Sequence, residues 1–163
     1  FFIYIGASGE AQRTVMNAAF EGVTVEDVMT AGEDVHTVDA GDSIAALMDR
    51  MFEQRHTGYP VMRHGEVAGM VTLDDARAVK AVERDAVRVE DVMTDEVYTV
   101  PVYANATDAL DALQRHGVGR LVVVDADGEM TGLITRTDLV NAFDIIQSTG
   151  YQATRQDLDL SGR

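Results

Sequence analysis

Two short motifs stand out as places where this sequence could do chemistry: Thr135-Arg136-Thr137-Asp138 and, earlier, Thr72-Leu73-Asp74-Asp75. In the first, a strand pattern ends and a helix pattern begins, and such a junction presents helix N–H groups and the positive end of the helix dipole. That combination seats a phosphate. The hydroxyls of Thr135 and Thr137 can add hydrogen bonds, and the Asp138 carboxylate can accept both hydroxyls of a ribose. The competing reading is structural, because Thr-x-x-Asp is also the capping-box signature that starts helices with no ligand present. Other constellations carry less. His36, His56, His64 and His116 show no ligand spacing such as i, i+4 on a helix, so no metal site is expected. The chain has no cysteine, which excludes disulfides and thiolate sites. No nucleophile–base pair and no Gly-x-Gly-x-x-Gly loop occur, so no catalytic residue is assigned and the chain does not read as an enzyme. Asp74-Asp75 and Asp125/Asp127 read as turn or cap residues before they read as cation ligands.

The elements that must position these motifs come from an internal repeat. Val25-Glu26-Asp27-Val28-Met29-Thr30 returns unchanged as Val89-Glu90-Asp91-Val92-Met93-Thr94, and Gly69-Met70-Val71-Thr72 returns as Gly132-Leu133-Ile134-Thr135. One unit of about 62 residues is therefore written twice. Periodicity predicts the same order in each copy. A short strand (Val35 to Val38; Val97 to Val100) leads to a helix (Ser43 to Arg55; Ala106 to His116). Two strands follow (Tyr59 to Met62 and Val67 to Thr72; Arg120 to Val124 and Met130 to Thr135). Their turns, Arg63-His64-Gly65-Glu66 and Asp125-Ala126-Asp127-Gly128, carry the Gly and Asp of tight hairpins. A closing helix runs from Leu73 to Val82 and from Arg136 to Ile146. The fold class is α/β of the α+β kind, β-α-β-β-α twice, with three-stranded sheets whose uncovered faces pack on each other. The expected organisation is a linker and N-terminal helix (1–22), repeat one (23–86), repeat two (87–147) and a polar tail (148–163). Within the linker, Ser8 to Phe20 reads as an amphipathic helix using Val15, Ala18 and Ala19.

Charge narrows the partners. The 28 acidic and 13 basic residues leave a net charge of −15, and Lys80 is the one lysine. Nucleic acid is excluded as a partner by the lack of clustered Lys and Arg. An acidic excess spread along the chain fits a halophilic protein, since salt screens the self-repulsion; an acidic partner-binding face is the other reading. Phe1 to Ile5 is too short an apolar run to cross a bilayer, which takes about 20 residues. A start at Phe1-Phe2 reads as a fragment, and the run as either the end of a membrane span or a lead-in that packs on the domain. The expected location is cytoplasmic, with tethering through sequence upstream of Phe1 as the alternative.

The doubled order of Val-Met-Thr, helix, Gly58-Tyr59-Pro60-Val61 in copy one, and Gly-hydrophobic-Val/Ile-Thr-x-x-Asp resembles the cystathionine-β-synthase (CBS) domain family over about residues 23 to 147. The resemblance implies a pseudo-twofold pair, a Bateman module, with two clefts that take AMP, ADP, ATP or S-adenosylmethionine as a regulatory ligand; no cofactor is required. It also implies homodimers and control of an attached effector. Under this analogy the preferred cleft holds Thr135, Arg136, Thr137 and Asp138 with Arg120, Val118, Met29, Thr30 and His36. The second holds Thr72, Asp74 and Asp75 with Gly58, Tyr59, Met93, Thr94 and Tyr98. Core filling is the alternative role for Met29 and Met93. Where copy two has Arg120 and Thr137, copy one has Gly58 and Asp74. An Asp about 4 Å from a phosphate costs about 1 to 4 kcal/mol, so the Asp138 cleft is the preferred one. Ile3-Tyr4-Ile5-Gly6-Ala7-Ser8, running into Glu10-Ala11, resembles the segment after the last membrane helix of site-2-type metalloproteases that end in a CBS pair. That makes a membrane metalloprotease a candidate effector, although no His-Glu-x-x-His occurs here. A structural dimerisation module with vestigial clefts is the rival function.

Overall fold

The computed structural model describes residues 15–149. The Phe1–Ala7 readings, the start of the Ser8–Phe20 helix and the tail after Gly150 lie outside the described residues.

Two compact units are present, and they are not the two sequence copies. One is contiguous, Asp34–Tyr98; the other is split, formed by the described residues up to Glu33 together with those from Thr99 onward. In the contiguous unit, β2 (Val38–Asp39) pairs parallel with β3 (Gly58–Arg63), and β3 pairs antiparallel with β4 (Glu66–Thr72). Helix α3 (Ile44–Gln54) crosses between β2 and β3, and α4 (Leu73–Arg77) follows β4. The second Val-Glu-Asp-Val stretch forms α5 (Val89–Val92), after which Thr94 bridges back to Met70 with backbone N–H···O bonds of 2.9 Å in both directions. The copy-two motif thus extends the copy-one sheet by a fourth, single-bridge strand.

The split unit mirrors this. After α1 (15–19) and α2 (Val25–Val28), β1 (Thr30–Ala31) pairs antiparallel with β7 (Met130–Thr135), giving the sheet order β1-β7-β6-β5 with β5 at Thr99–Pro101 and β6 at Arg120–Val124. Helix α6 (Ala106–His116) connects β5 to β6, and α7 (Arg136–Thr149) follows β7 directly.

Local chemistry explains most boundaries. Ser43 caps α3 by accepting from the Ala46 N–H, and Arg55 ends it in the left-handed region at φ 60°. The α3 stripe Ile44, Leu47, Met51 is buried with Tyr59, Val61 and Val71, each such side chain contributing about 1.5–3 kcal/mol by burial. In the split unit α6 buries Ala106, Ala109, Leu110 and Leu113, the i, i+3, i+4, i+7 set. The first hairpin has His64 and Gly65 at φ 53° and 79°, the paired positive values a two-residue type I′ turn needs. In the second, the Asp125 carboxylate accepts from the N–H groups of Asp127 and Glu129.

Four expectations need correction. The first strand does not begin at Val35: the Arg50 guanidinium donates to the Thr37 carbonyl at 2.9 Å, which takes an acceptor a ladder would use, and regular pairing starts at Val38. The copy-two strand likewise starts at Thr99, not Val97, and ends on Pro101, which has no N–H to continue it. Helix α4 stops at Arg77 instead of Val82, because Val79 turns its N–H onto the Ala76 carbonyl and buries its own side chain, leaving Val82 exposed. Of the face expected for α1, Ala19 is buried, as is Phe20 just after the helix, whereas Val15 is 49% exposed and Ala18 is exposed too, so the apolar face does not include Val15 or Ala18.

Candidate functional site

The Thr135–Asp138 motif sits where β7 hands over to α7. The Thr135 N–H donates to Asp138 Oδ2 and the Asp138 N–H donates to Thr135 Oγ1, both at 3.0 Å. The Arg136 N–H donates to the Gly119 carbonyl at 3.1 Å. The expected row of unpaired N–H groups is therefore corrected: three of them are satisfied inside the protein, and the capping box is real. It does not close the site to a ligand. A carboxylate offers about four acceptor positions, of which the cap takes one, and the Thr135 hydroxyl, having accepted a bond, still has a proton to donate. Thr137 is exposed.

The sheet registers put a different residue beside each motif. Arg120 lies directly opposite Thr135, and Gly58 directly opposite Thr72. Thr30 lies opposite Leu133, so Met29, Thr30, Arg120 and the Thr135–Asp138 motif all belong to the split unit, with Val118 just before β6. His36 is not in that unit. It lies in the contiguous one, where its ring stands 5.2 Å from that of His56, and His56 meets Tyr59 edge-on.

In the contiguous unit Thr72 and Asp75 form the matching box, but here the Thr72 hydroxyl also donates to Asp75, at 3.1 Å. That turns its proton inward. Asp74 forms an ion pair with Arg77, both exposed; the pair reduces the repulsion that Asp74 alone would offer an anion, though at such exposure by little. Tyr59 does not present its side chain to a ligand, as it is 1% exposed and its hydroxyl donates to Gln54 at 2.9 Å. The Tyr98 hydroxyl is held above its ordinary pKa by desolvation first and by the neighbouring Glu96 second. Thr94 is exposed, while Met93 is half-buried.

Both methionines have a task the sequence reading left open. Met29 Sδ and the Thr30 carbonyl press on Gly132, and Met93 Sδ and the Thr94 carbonyl press on Gly69. The glycines are the residues that the reading missed. Their signal was a Gly inside a strand pattern, which marks close approach of another backbone. Arg77 was also missed, although its i, i+3 relation to Asp74 was visible. Among the described residues no group of three His, Asp or Glu side chains could hold a metal, and no helix is long and apolar enough to cross a membrane.

Two sheet-and-helix units, each with a Val-Met-Thr turn against a strand glycine, define a tandem-repeat fold. The family profile of the CBS domain matches residues 25–81 and 89–145, and the chain belongs to this family. A zinc metalloprotease of Methanocaldococcus jannaschii is 25% identical over 146 residues, covering 90% of this chain. The chain spans 40% of that protein's length. Among solved structures, CBSX2, a CBS-pair protein of Arabidopsis thaliana, in complex with AMP superposes at TM-score 0.67 with 30% identity, over 77% of this chain and 98% of that one. The CBS domain of a bacterial CNNM/CorC family Mg2+ transporter, in complex with ATP, superposes at TM-score 0.72 with 22% identity over 83% of this chain and 96% of that one, sharing the fold.

Proposed function

We propose that this chain is a regulatory module that binds an adenosine-containing ligand at the head of α7 and thereby controls an attached effector. The observation that carries the proposal is the convergence, within one unit, of a helix N-terminus, two threonine hydroxyls, the Asp138 carboxylate and Arg120 opposite Thr135. Arg120 forms charge-assisted bonds to a phosphate. Asp138 accepts from the ribose, and Met29 packs beside the adenine. The AMP held by CBSX2 supports the ligand class, from which AMP, ADP, ATP and S-adenosylmethionine are the compounds to test. The contiguous unit is the weaker site, having Gly58 for Arg120 and the inward-turned Thr72 hydroxyl. The metalloprotease likeness makes a membrane protease the first effector to examine, with the module on the cytoplasmic side and as a homodimer.

Calorimetric titration in high KCl tests this. AMP is expected to bind the wild type, and Arg120→Ala to weaken it by about 10-fold or more, the scale of one charge-assisted hydrogen bond; Gly58→Ala should weaken it less. Absence of heat and of thermal stabilisation with all four compounds would overturn the proposal and leave a structural dimerisation module, the reading favoured by the two self-satisfied capping boxes.

A further inference from the structure

One aromatic contact ties the middle of α7 to the residue that follows α1. Phe20 is 1% exposed, and its ring meets that of Phe143 at 6.3 Å between centroids with an interplanar angle of 70°. Phe143 lies on α7, five residues beyond Asp138, about 7.5 Å along the helix axis at its ordinary rise. Leu139, at i−4 from Phe143, is the one fully buried residue of α7, so the helix has a single deep anchor between the candidate ligand seat and the ring contact.

On the other side, Phe20 closes α1 by donating its N–H to the Met16 carbonyl (3.0 Å) and accepts from the Val23 N–H (2.9 Å). Just after it the backbone is clamped: the Val25 N–H donates to the Ala104 carbonyl and the Ala106 N–H to the Val23 carbonyl. Residues 23–25 are thus fixed on the start of α6, and β1 beyond them is fixed on β7. Between α1 and this clamp, Phe20 is a buried side chain that packs on α7.

We infer that the Phe20–Phe143 contact is the relay by which ligand at the head of α7 reorients α1, with Phe143 acting as a positioning residue. The inference rests on the proposed ligand site. A ligand moves an equilibrium only through unequal affinity for two arrangements, and here the arrangements are two tilts of α7 about Leu139. A phosphate gripped by Thr135 and Thr137 selects one tilt, and the part of the helix beyond Leu139 carries Phe143 and then Phe20 with it.

Because the chain has no cysteine, Asn17→Cys gives a unique thiol at an exposed position of α1 for a nitroxide spin label. AMP affinity by calorimetry and the label's spectrum are measured together, in otherwise wild-type, Phe143→Leu and Phe143→Ala backgrounds. The expected result is a spectral change on adding AMP to the otherwise wild-type protein, reduced at least fivefold in both variants, while AMP affinity stays within about threefold. A spectrum that ignores bound AMP, or an undiminished response in both variants, overturns the relay and leaves the ligand site standing. Loss of AMP binding in Phe143→Leu also overturns it, since the ring would then be part of the site. No AMP binding to the labelled wild type, confirmed on unlabelled protein, is a failure of the ligand proposal itself.

Discussion

Replacing Gly132 by alanine is the sharpest test of how the Val-Met-Thr turn is held. A Cβ there would stand 2.6 Å from the Thr30 carbonyl oxygen and 2.7 Å from Met29 Sδ. Ordinary contact begins at 3.4 Å, so the shortfall against Thr30 is roughly 0.8 Å. The thioether can swing away, because methionine has several low-energy rotamers. The carbonyl cannot move alone, since β1 is paired with β7 at Thr30↔Leu133 and Ala31↔Gly132. Overpacking of this kind costs about 1–3 kcal/mol. The narrower unfolded ensemble of alanine returns about 0.4–1 kcal/mol, and the net loss should be about 1–2 kcal/mol. For a chain of this size that lowers Tm by about 2–8 °C. Gly119→Ala is the control, because its Cβ would meet nothing within 4 Å; it should stay within about 0.5 kcal/mol of wild type. Thermal and urea unfolding at fixed salt, followed by circular dichroism, gives both numbers. Adding Met29→Ala to Gly132→Ala should remove the sulfur clash and not the carbonyl clash. Equal stability of the Gly132 and Gly119 variants, or full recovery on adding Met29→Ala, would refute the reasoning.

Three further outcomes are expected. Residues 34–98, expressed alone, should unfold cooperatively, because the Val38–Val89 core and the Met70–Thr94 bridge lie within them; residues 23–86 lack α5 and that bridge and should not. Thr135→Val removes the acceptor for the Asp138 N–H and should cost about 0.5–2 kcal/mol while weakening AMP, so a variant that loses neither contradicts the assigned role. With a net charge of −15, Tm should climb as KCl is raised from dilute buffer toward molar concentrations, and a flat profile would remove the halophilic reading.

Much of this fold is legible in the sequence. The α6 span Ala106–His116 comes directly from helical spacing, and the strands Arg120–Val124 and Met130–Thr135 from short apolar runs bounded by turn residues, each burying three successive residues. Val82 shows where that logic fails: its apolar character continued a helical pattern, yet the tertiary preference for burying Val79 ended the helix first. The Arg50 bond that delays β2 joins α3 to the segment before the strand, a side-chain contact that hydrophobic periodicity does not encode. For the candidate site, the capping motifs were readable as motifs. Which oxygen each N–H would find was not, because Gly119 and Arg136 meet only through the β6–β7 pairing. The burial of Tyr59 was illegible for a related reason, as its place in the family pattern says nothing of Gln54, the last residue of α3, which accepts its hydroxyl.

The placement of the two Val-Met-Thr turns has a thermodynamic consequence. In the split unit, Met29 and Thr30 stand against Gly132 and Leu133, about a hundred residues away in the chain, whereas in the contiguous unit Met93 stands against Gly69. Closing the longer loop costs more chain entropy, though only by about 0.6 kcal/mol per doubling of length. What distinguishes the units more strongly is that the split one cannot form until both ends of the chain are present. A ligand bound to Arg120, Thr135 and Asp138 on one side and to Met29 on the other would stabilise that closure by mass action, roughly 2.7 kcal/mol at a hundredfold excess over Kd. The contiguous unit, complete within 34–98, has no such dependence. Ligand should therefore raise hydrogen-exchange protection most in β1 and β7, and a rise confined to β3 and β4 would place the working site in the other unit.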